Sequence, residues 1–277
     1  EGKAIYASGK VIQLIPKIYG DRTLTPEVLR KTLKEHEVEF TVCLQGNYAG
    51  FQNIYTYESS KKYPDFIIPA ATYDPFFRNK HLVITHLFEE LGIKILKMEV
   101  SNGSGLMANH PTVDLNGPVM QEVYDTARKY HLICFIDIGR PGNNCYQVDA
   151  LRDAISSYPD ITFIICHLTA PQHDQMDILK SNLNKLNLKN VYFDIASLPN
   201  NTKQPYPFLE AQSYIRQAID IMGKEKILWG SDFPAAMNYC SYKEAYQYIE
   251  ESELLSKEEK EHILYSNAKA LFGDFLK

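Results

Sequence analysis

The sequence has no Cys-x-x-Cys pair, and its five cysteines, Cys43, Cys134, Cys145, Cys166 and Cys240, form an odd set. A disulfide framework or a thiolate zinc cluster needs closer pairing, so both are excluded. Cys43, Cys134 and Cys166 lie inside apolar runs, as buried free thiols do, which sets the expectation of a reducing compartment, the cytoplasm. No run approaches the ~18 apolar residues of a membrane span, and the amino terminus, which begins with Glu1 and not Met, carries no signal-peptide core. The net charge is only -5, with lysines and arginines dispersed, so there is no basic field for nucleic acid. No Pro/Gly/Ser-rich linker divides the 277 residues, and one domain over 1–277 is expected. No glycine-rich phosphate loop follows the first strand, which argues against a doubly wound sheet.

What is present is an alternation of short apolar runs and amphipathic stretches. Hydrophobic residues make up 45% of the chain, enough to fill a large core. Seven runs read as strands: Glu39 to Leu44, Phe66 to Ala70, Ile93 to Met98, Ile133 to Ile138, Thr162 to Cys166, Val191 to Ile195 and Ile227 to Gly230. Their near-continuous apolar character suits strands covered on both faces. Helical stretches separate them, among them Pro26 to Glu37 behind a Thr25 cap, Asn53 to Lys62, Pro118 to Tyr130 and a final helix opened by the capping box Ser256 to Glu259. Repeated strand-helix units over roughly 250 residues predict an α/β fold of the (β/α)8 TIM-barrel type. The eighth strand is expected before Thr23, supplied by Lys10 to Ile15 or by residues upstream of Glu1.

In such a barrel, chemistry sits at the carboxyl ends of strands. Ile227-Leu-Trp-Gly-Ser-Asp232-Phe-Pro234 ends an apolar run with a carboxylate between a glycine and a proline, and Asp232 is the leading candidate for a catalytic acid or base. Its plain alternative is a turn cap. His167 follows Phe163-Ile-Ile-Cys, and Asp137 and Arg140 follow Ile133-Cys-Phe-Ile. Asp137 reads equally well as an Arg140 salt bridge or as a proton-transfer group. Lys97 and Glu99 end a fourth run, with a solvated rim as the competing reading. Gln45 and Tyr48 follow the second strand and Tyr73 the third, so all three are candidates for the pocket mouth, with loop packing as the alternative for the tyrosines. Arg140 suits a substrate carboxylate through a two-pronged hydrogen bond, and His110 falls in a long loop suited to a lid.

Leu91-Gly-Ile-Lys94, Tyr158-Pro-Asp-Ile-Thr-Phe-Ile-Ile-Cys-His167-Leu, Asn190-Val-Tyr-Phe-Asp194-Ile-Ala-Ser197, Ile227 to Pro234 and Ile263-Leu-Tyr-Ser-Asn267-Ala-Lys-Ala-Leu-Phe272 together resemble the amidohydrolase-related family of metal-dependent hydrolases. The resemblance extends across most of the chain. It implies a distorted (β/α)8 barrel, one divalent metal, zinc or else manganese, and a homodimer. His167 matches the family's sixth-strand ligand and Asp232 its eighth-strand ligand. Two positions depart from the pattern: the chain has no His-x-His pair, and Asp137 stands where a fifth-strand histidine is expected. By the resemblance Asp137 points to ester or lactone hydrolysis, with metal-bound water, whose pKa falls to roughly 7, as nucleophile and Asp232 as proton acceptor. The substrate is then a small carboxylated or sugar-like lactone or ester. A non-oxidative decarboxylase of aromatic or muconate-type acids is the alternative within the family, and a non-catalytic binding barrel the alternative outside enzymes.

Overall fold

The computed structural model describes residues 2–5, 9, 11–20, 22–46, 50–103, 105–110 and 112–276. Two short strands, β1 (Lys3–Ile5) and β2 (Val11–Gln13), form an antiparallel hairpin. Seven more follow: β3 (Thr41–Cys43), β4 (Ile67–Ala71), β5 (Ile95–Glu99), β6 (Ile133–Asp137), β7 (Phe163–Ile165), β8 (Val191–Asp194) and β9 (Ile227–Leu228). These form one parallel sheet whose spatial order is the chain order. Helices connect the strands, and the sheet is an α/β barrel wall with β3 and β9 as its edges.

All seven predicted strands are therefore found, and the Lys10 to Ile15 segment is corrected. Val11–Gln13 is a strand, but it pairs with Lys3–Ile5 and not with β3 or β9. A barrel strand must be apolar on both faces, whereas Val11 is 53% and Ile5 74% exposed in this hairpin.

Side-chain alternation divides the wall into two layers. Leu96, Met98, Cys134, Ile136, Phe163, Ile165, Val191, Phe193 and Ile227 face the helices and join the largest apolar cluster. Ile95, Phe135, Ile164, Cys166 and Leu228 face inward and form a second cluster closed by Phe272. The same period of two turns Lys97, Glu99, Asp137 and Asp194 inward at the strands' carboxyl ends. A parallel sheet thus delivers its inward polar residues to one rim.

The predicted helix signals hold. Thr25 Oγ1 accepts from Val28 N at 3.4 Å, and Ser256 and Glu259 make both bonds of their capping box. The C-terminal helical segment does more than cover the core. Trp229 N donates to Ile263 O at 2.9 Å, and Asn267 Nδ2 donates to Ile227 O and Lys224 O at 2.7 Å each. The outer edge of β9 is satisfied by this segment in place of a neighbouring strand. No helix among the described residues is long and apolar enough to cross a membrane.

Asn267 is 5% exposed, so its removal leaves two carbonyls without their donor. Asn267→Ala is expected to cost roughly 2 kcal/mol of unfolding free energy, the penalty for unmet buried polar groups. Urea unfolding checks this, and a change within about 0.5 kcal/mol, the range of neutral surface substitutions, would refute the edge-capping role.

Candidate active site

One cavity of about 1740 Å³ is lined by both edge strands and by the carboxyl-terminal rim. Lys97, Asp137, Arg140, His167, Asp232 and Gln45 all reach it. Glu99 reaches it as well, so seven of the residues singled out in the sequence converge, although they come from five different strand ends.

His167 is held in an unusual backbone. His167, Leu168, Thr169 and Ala170 all have positive φ, 58°, 53°, 62° and 51°. Left-handed conformations of this kind cost side-chain-bearing residues about 1–3 kcal/mol each and persist only where their surroundings over-determine them. Here the restraints are visible. His167 N donates to Asp194 Oδ1 at 2.9 Å, and Ala170 N donates to His167 O at 2.6 Å. Tyr146 Oη donates to Thr169 O at 3.0 Å, and Asn182 Nδ2 donates to Tyr146 Oη at 2.6 Å. The turn points the imidazole across the rim, with Nδ1 donating to Ala196 O at 3.0 Å and Nε2 facing Asp137 Oδ2 at 3.5 Å.

Three carboxylates surround that ring. Burial disfavours its charge, but the close approach of Asp137 and the charges of Asp194, Asp137 and Asp232 outweigh it and push the His167 pKa up to about 10. Those acids favour the imidazolium over the neutral ring. Asp137 answers it: burial alone would raise its pKa, yet His167, Lys97 and the Gly139 N–H at 2.8 Å hold it well below the usual carboxylate range. Lys97 completes the group, with Nζ 3.0 Å from Cys166 Sγ and 3.9 Å from Asp137 Oδ2. Burial opposes the Lys97 charge, and the nearby Cys166 sulfur and Asp137 carboxylate reverse that. Burial also pushes the Cys166 thiol far up. With that thiol neutral, Asp137 and, to a lesser extent, Glu99 are the anions that favour the charged Lys97.

Asp232 follows β9 on the apolar run's carboxyl side, at φ 49°. Its Oδ2 accepts from Ser197 Oγ. This is a bond to a side chain from the neighbouring strand end, and not a cap on the following turn.

Other readings change. Among the described residues the ion pairs of Asp137 are with Lys97 and His167, and Arg140 stands exposed on the cavity rim, so the proposed Asp137–Arg140 bridge is replaced. Gln45 lines the cavity, but its amide is occupied: Nε2 donates to Asn53 Oδ1 at 2.8 Å and Ala70 O at 2.9 Å, and Oε1 accepts from Gln52 N at 2.6 Å. It clamps the loop after β3 and offers no free polar group to a substrate. Tyr73 does not reach the cavity; it is 3% exposed in the outer core and meets Phe88 edge-on at 6.3 Å. One step of alternation past β4 explains its direction, because it falls on the helix-facing side. Tyr48 lies outside the described residues. His110 binds Asp74 Oδ2 at 2.9 Å and stacks on Phe76, away from the cavity lining. Sequence reasoning missed Asp194 and Ser197 as site residues. Both lie in the Asn190 to Ser197 motif, and the signal for Asp194 is its inward position at a strand end.

Polar and ionisable groups gathered at the carboxyl-terminal rim of a parallel α/β barrel define a class of enzyme-like barrels whose chemistry sits in the loops. A family model described as Amidohydrolase matches residues 16–273, and the chain belongs to the amidohydrolase family. A search of curated proteins finds no match. Among solved structures, the fold is similar to a probable 2-pyrone-4,6-dicarboxylic acid hydrolase from Acinetobacter baumannii with citric acid bound, at 19% identity and TM-score 0.71, covering 91% of this chain and 90% of that one. An amidohydrolase from Burkholderia multivorans with bound zinc aligns at 12% identity and TM-score 0.73, covering 91% and 89%. A 4-oxalomesaconate hydratase from Rhodopseudomonas palustris aligns at 16% identity and TM-score 0.61, covering 93% and 86%.

Members of the family typically use a divalent metal, so the donor set matters. A catalytic zinc site takes three protein ligands. At this rim the described residues offer one imidazole, its Nδ1 already committed to Ala196 O, and carboxylates whose counter-charge comes from Lys97 and His167. Among the described residues the cluster of three donors with suitable spacing is His173, Asp174 and Glu210, outside the cavity and exposed in its first two members. The described rim residues do not by themselves fit a complete metal centre.

The charge cluster predicts a pH dependence. Folded His167 holds its proton more tightly than the unfolded chain, so its stabilisation is complete below pH ~6.5. That stabilisation is lost as pH rises towards about 10. In protein stripped of divalent ions, the stability advantage of wild type over His167→Gln is expected to shrink across that window. Urea unfolding of both proteins measures it, and parallel pH profiles would contradict the assignment.

Proposed function

We propose that the chain hydrolyses a small carboxylated ester or lactone, a small-molecule substrate bound at the rim of the barrel. The observation that carries this reading is the placement, in one cavity, of a carboxylate that ends the last strand beside a histidine kept charged by its neighbours. Asp232 accepts the proton of the attacking water, with Ser197 fixing the orientation of its carboxylate. His167 and Lys97 supply positive charge where the carbonyl oxygen becomes negative. Arg140, exposed on the rim, is placed to meet a carboxylate of the substrate. The similarity in fold to a probable 2-pyrone-4,6-dicarboxylic acid hydrolase supports the choice of substrate class.

The test is a panel of carboxylated lactones, sugar lactones and nitrophenyl esters, with carbon dioxide release followed in parallel on aromatic and muconate-type acids. Hydrolysis by the wild type, and a loss of about 10³-fold or more in kcat for Asp232→Asn with the far-UV spectrum retained, is expected for removal of a general base that also orients the nucleophile. Near-normal turnover by that variant would sink the assignment. Carbon dioxide release without ring or ester opening would move the chain to the lyases.

A further inference from the structure

Beyond its charge beside the His167 ring, Asp194 has a structural part not used above: it is a buried carboxylate, 6% exposed, at the inward end of β8. Its Oδ1 accepts two backbone hydrogen bonds, from His167 N at 2.9 Å and from Ala196 N at 3.1 Å. The first reaches across to the end of β7, and the second stays within its own strand end. Through them one oxygen ties together the two segments that hold the histidine ring, since His167 Nδ1 in turn donates to Ala196 O at 3.0 Å. The same oxygen lies 3.6 Å from Nδ1, too far for a hydrogen bond of its own.

We infer that Asp194 is a positioning residue that sets the direction of the His167 ring by bridging the ends of β7 and β8. The inference rests on the hydrolase reading for its consequence, though not for its geometry. His167 begins a run of four left-handed residues, a conformation that the chain does not adopt without restraint. Tyr146 and Ala170 restrain the far end of that run, and Asp194 restrains its first peptide. Without Asp194 the His167 N–H and the Ala196 N–H lose their shared acceptor, and the ring loses the fixed carbonyl to which Nδ1 donates. Nε2 is then no longer aimed across the rim at Asp137 and the cavity.

Two measurements test this, one of them independent of activity. In ¹⁵N-histidine-labelled protein, the wild type is expected to show a protected imidazole N–H signal that disappears in His167→Gln and so belongs to His167. That signal is expected to vanish in Asp194→Ala and to persist in Asp194→Asn, whose side-chain oxygen can accept the same two backbone bonds. On whichever ester or lactone of the panel the wild type turns over fastest, Asp194→Ala is expected to lower kcat about 10²-fold with KM nearly unchanged, the effect of misplacing a reacting group by about an ångström. Asp194→Asn recovers most of that loss. In the His167→Gln background, Asp194→Ala adds less than about threefold, because it acts through the histidine.

A signal that survives Asp194→Ala overturns the inference, as does a kcat loss of equal size with or without His167. Equal damage from Asn and Ala also overturns it, because charge and not bridging would then be what matters. Should Asp194→Ala not fold, Asp194→Ser, too short to reach both N–H groups, takes its place in each comparison. If the wild type hydrolyses nothing on the panel, the hydrolase reading fails while the N–H signal still decides the role of Asp194.

Discussion

The rim of this barrel depends on one constraint: charges brought together by a parallel sheet and withdrawn from water must neutralise one another in place. Period-two alternation sends Lys97, Glu99, Asp137 and Asp194 to the same end of the interior, and Asp232 arrives there from β9. An isolated buried charge is far costlier than a paired one. The cluster answers this by setting Asp137 between Lys97 and His167 and by giving Asp194 two backbone N–H groups. The left-handed run at 167–170 follows from the same need, since it is what turns the one imidazole at the rim toward the acids.

That arrangement connects the core to the site. The apolar layers fix the strand ends, because a slip of one residue in β6 would send Asp137 into the helix-facing layer and bring Ile136 inward. Register is therefore as important to the chemistry as the identity of the side chains. The outer edge of β9, which carries Asp232, is held by Asn267 and Ile263 and not by an eighth strand. The position of the leading catalytic candidate thus rests on the C-terminal helix.

Strands were the most legible part of the sequence because burial on both faces leaves long apolar runs that little else produces. Strand-end residues were legible for the same reason: His167, Asp137 and Asp232 are polar groups that interrupt those runs. Three kinds of information were not. Lys10 to Ile15 has strand-like residues, but its partner depends on tertiary pairing that periodicity does not encode. Gln45 and Tyr73 follow strands as site residues do, yet the amide of one is engaged by Gln52 N, Asn53 Oδ1 and Ala70 O of β4, and the ring of the other falls on the outward phase. Asp194 was passed over because the importance of a carboxylate that binds backbone N–H groups lies in conformation, which a residue type does not announce.

The charge state of His167 bears directly on the proposed reaction. Water attack on an ester creates negative charge on the carbonyl oxygen, and a cation already in place stabilises it without reorganisation. A neutral histidine would have to acquire its proton during the reaction, whereas here the surrounding acids supply the charge beforehand. The same acids also compete for the ring N–H that a substrate oxygen would use. The distance from Nε2 to Asp137, 3.5 Å, is longer than a normal hydrogen bond. Asp137 is thus close enough to sustain the imidazolium and too far to consume its donor. That separation leaves Nε2–H available to an incoming carbonyl, and it follows from where the ends of β6 and β7 are held and not from the two residue types alone.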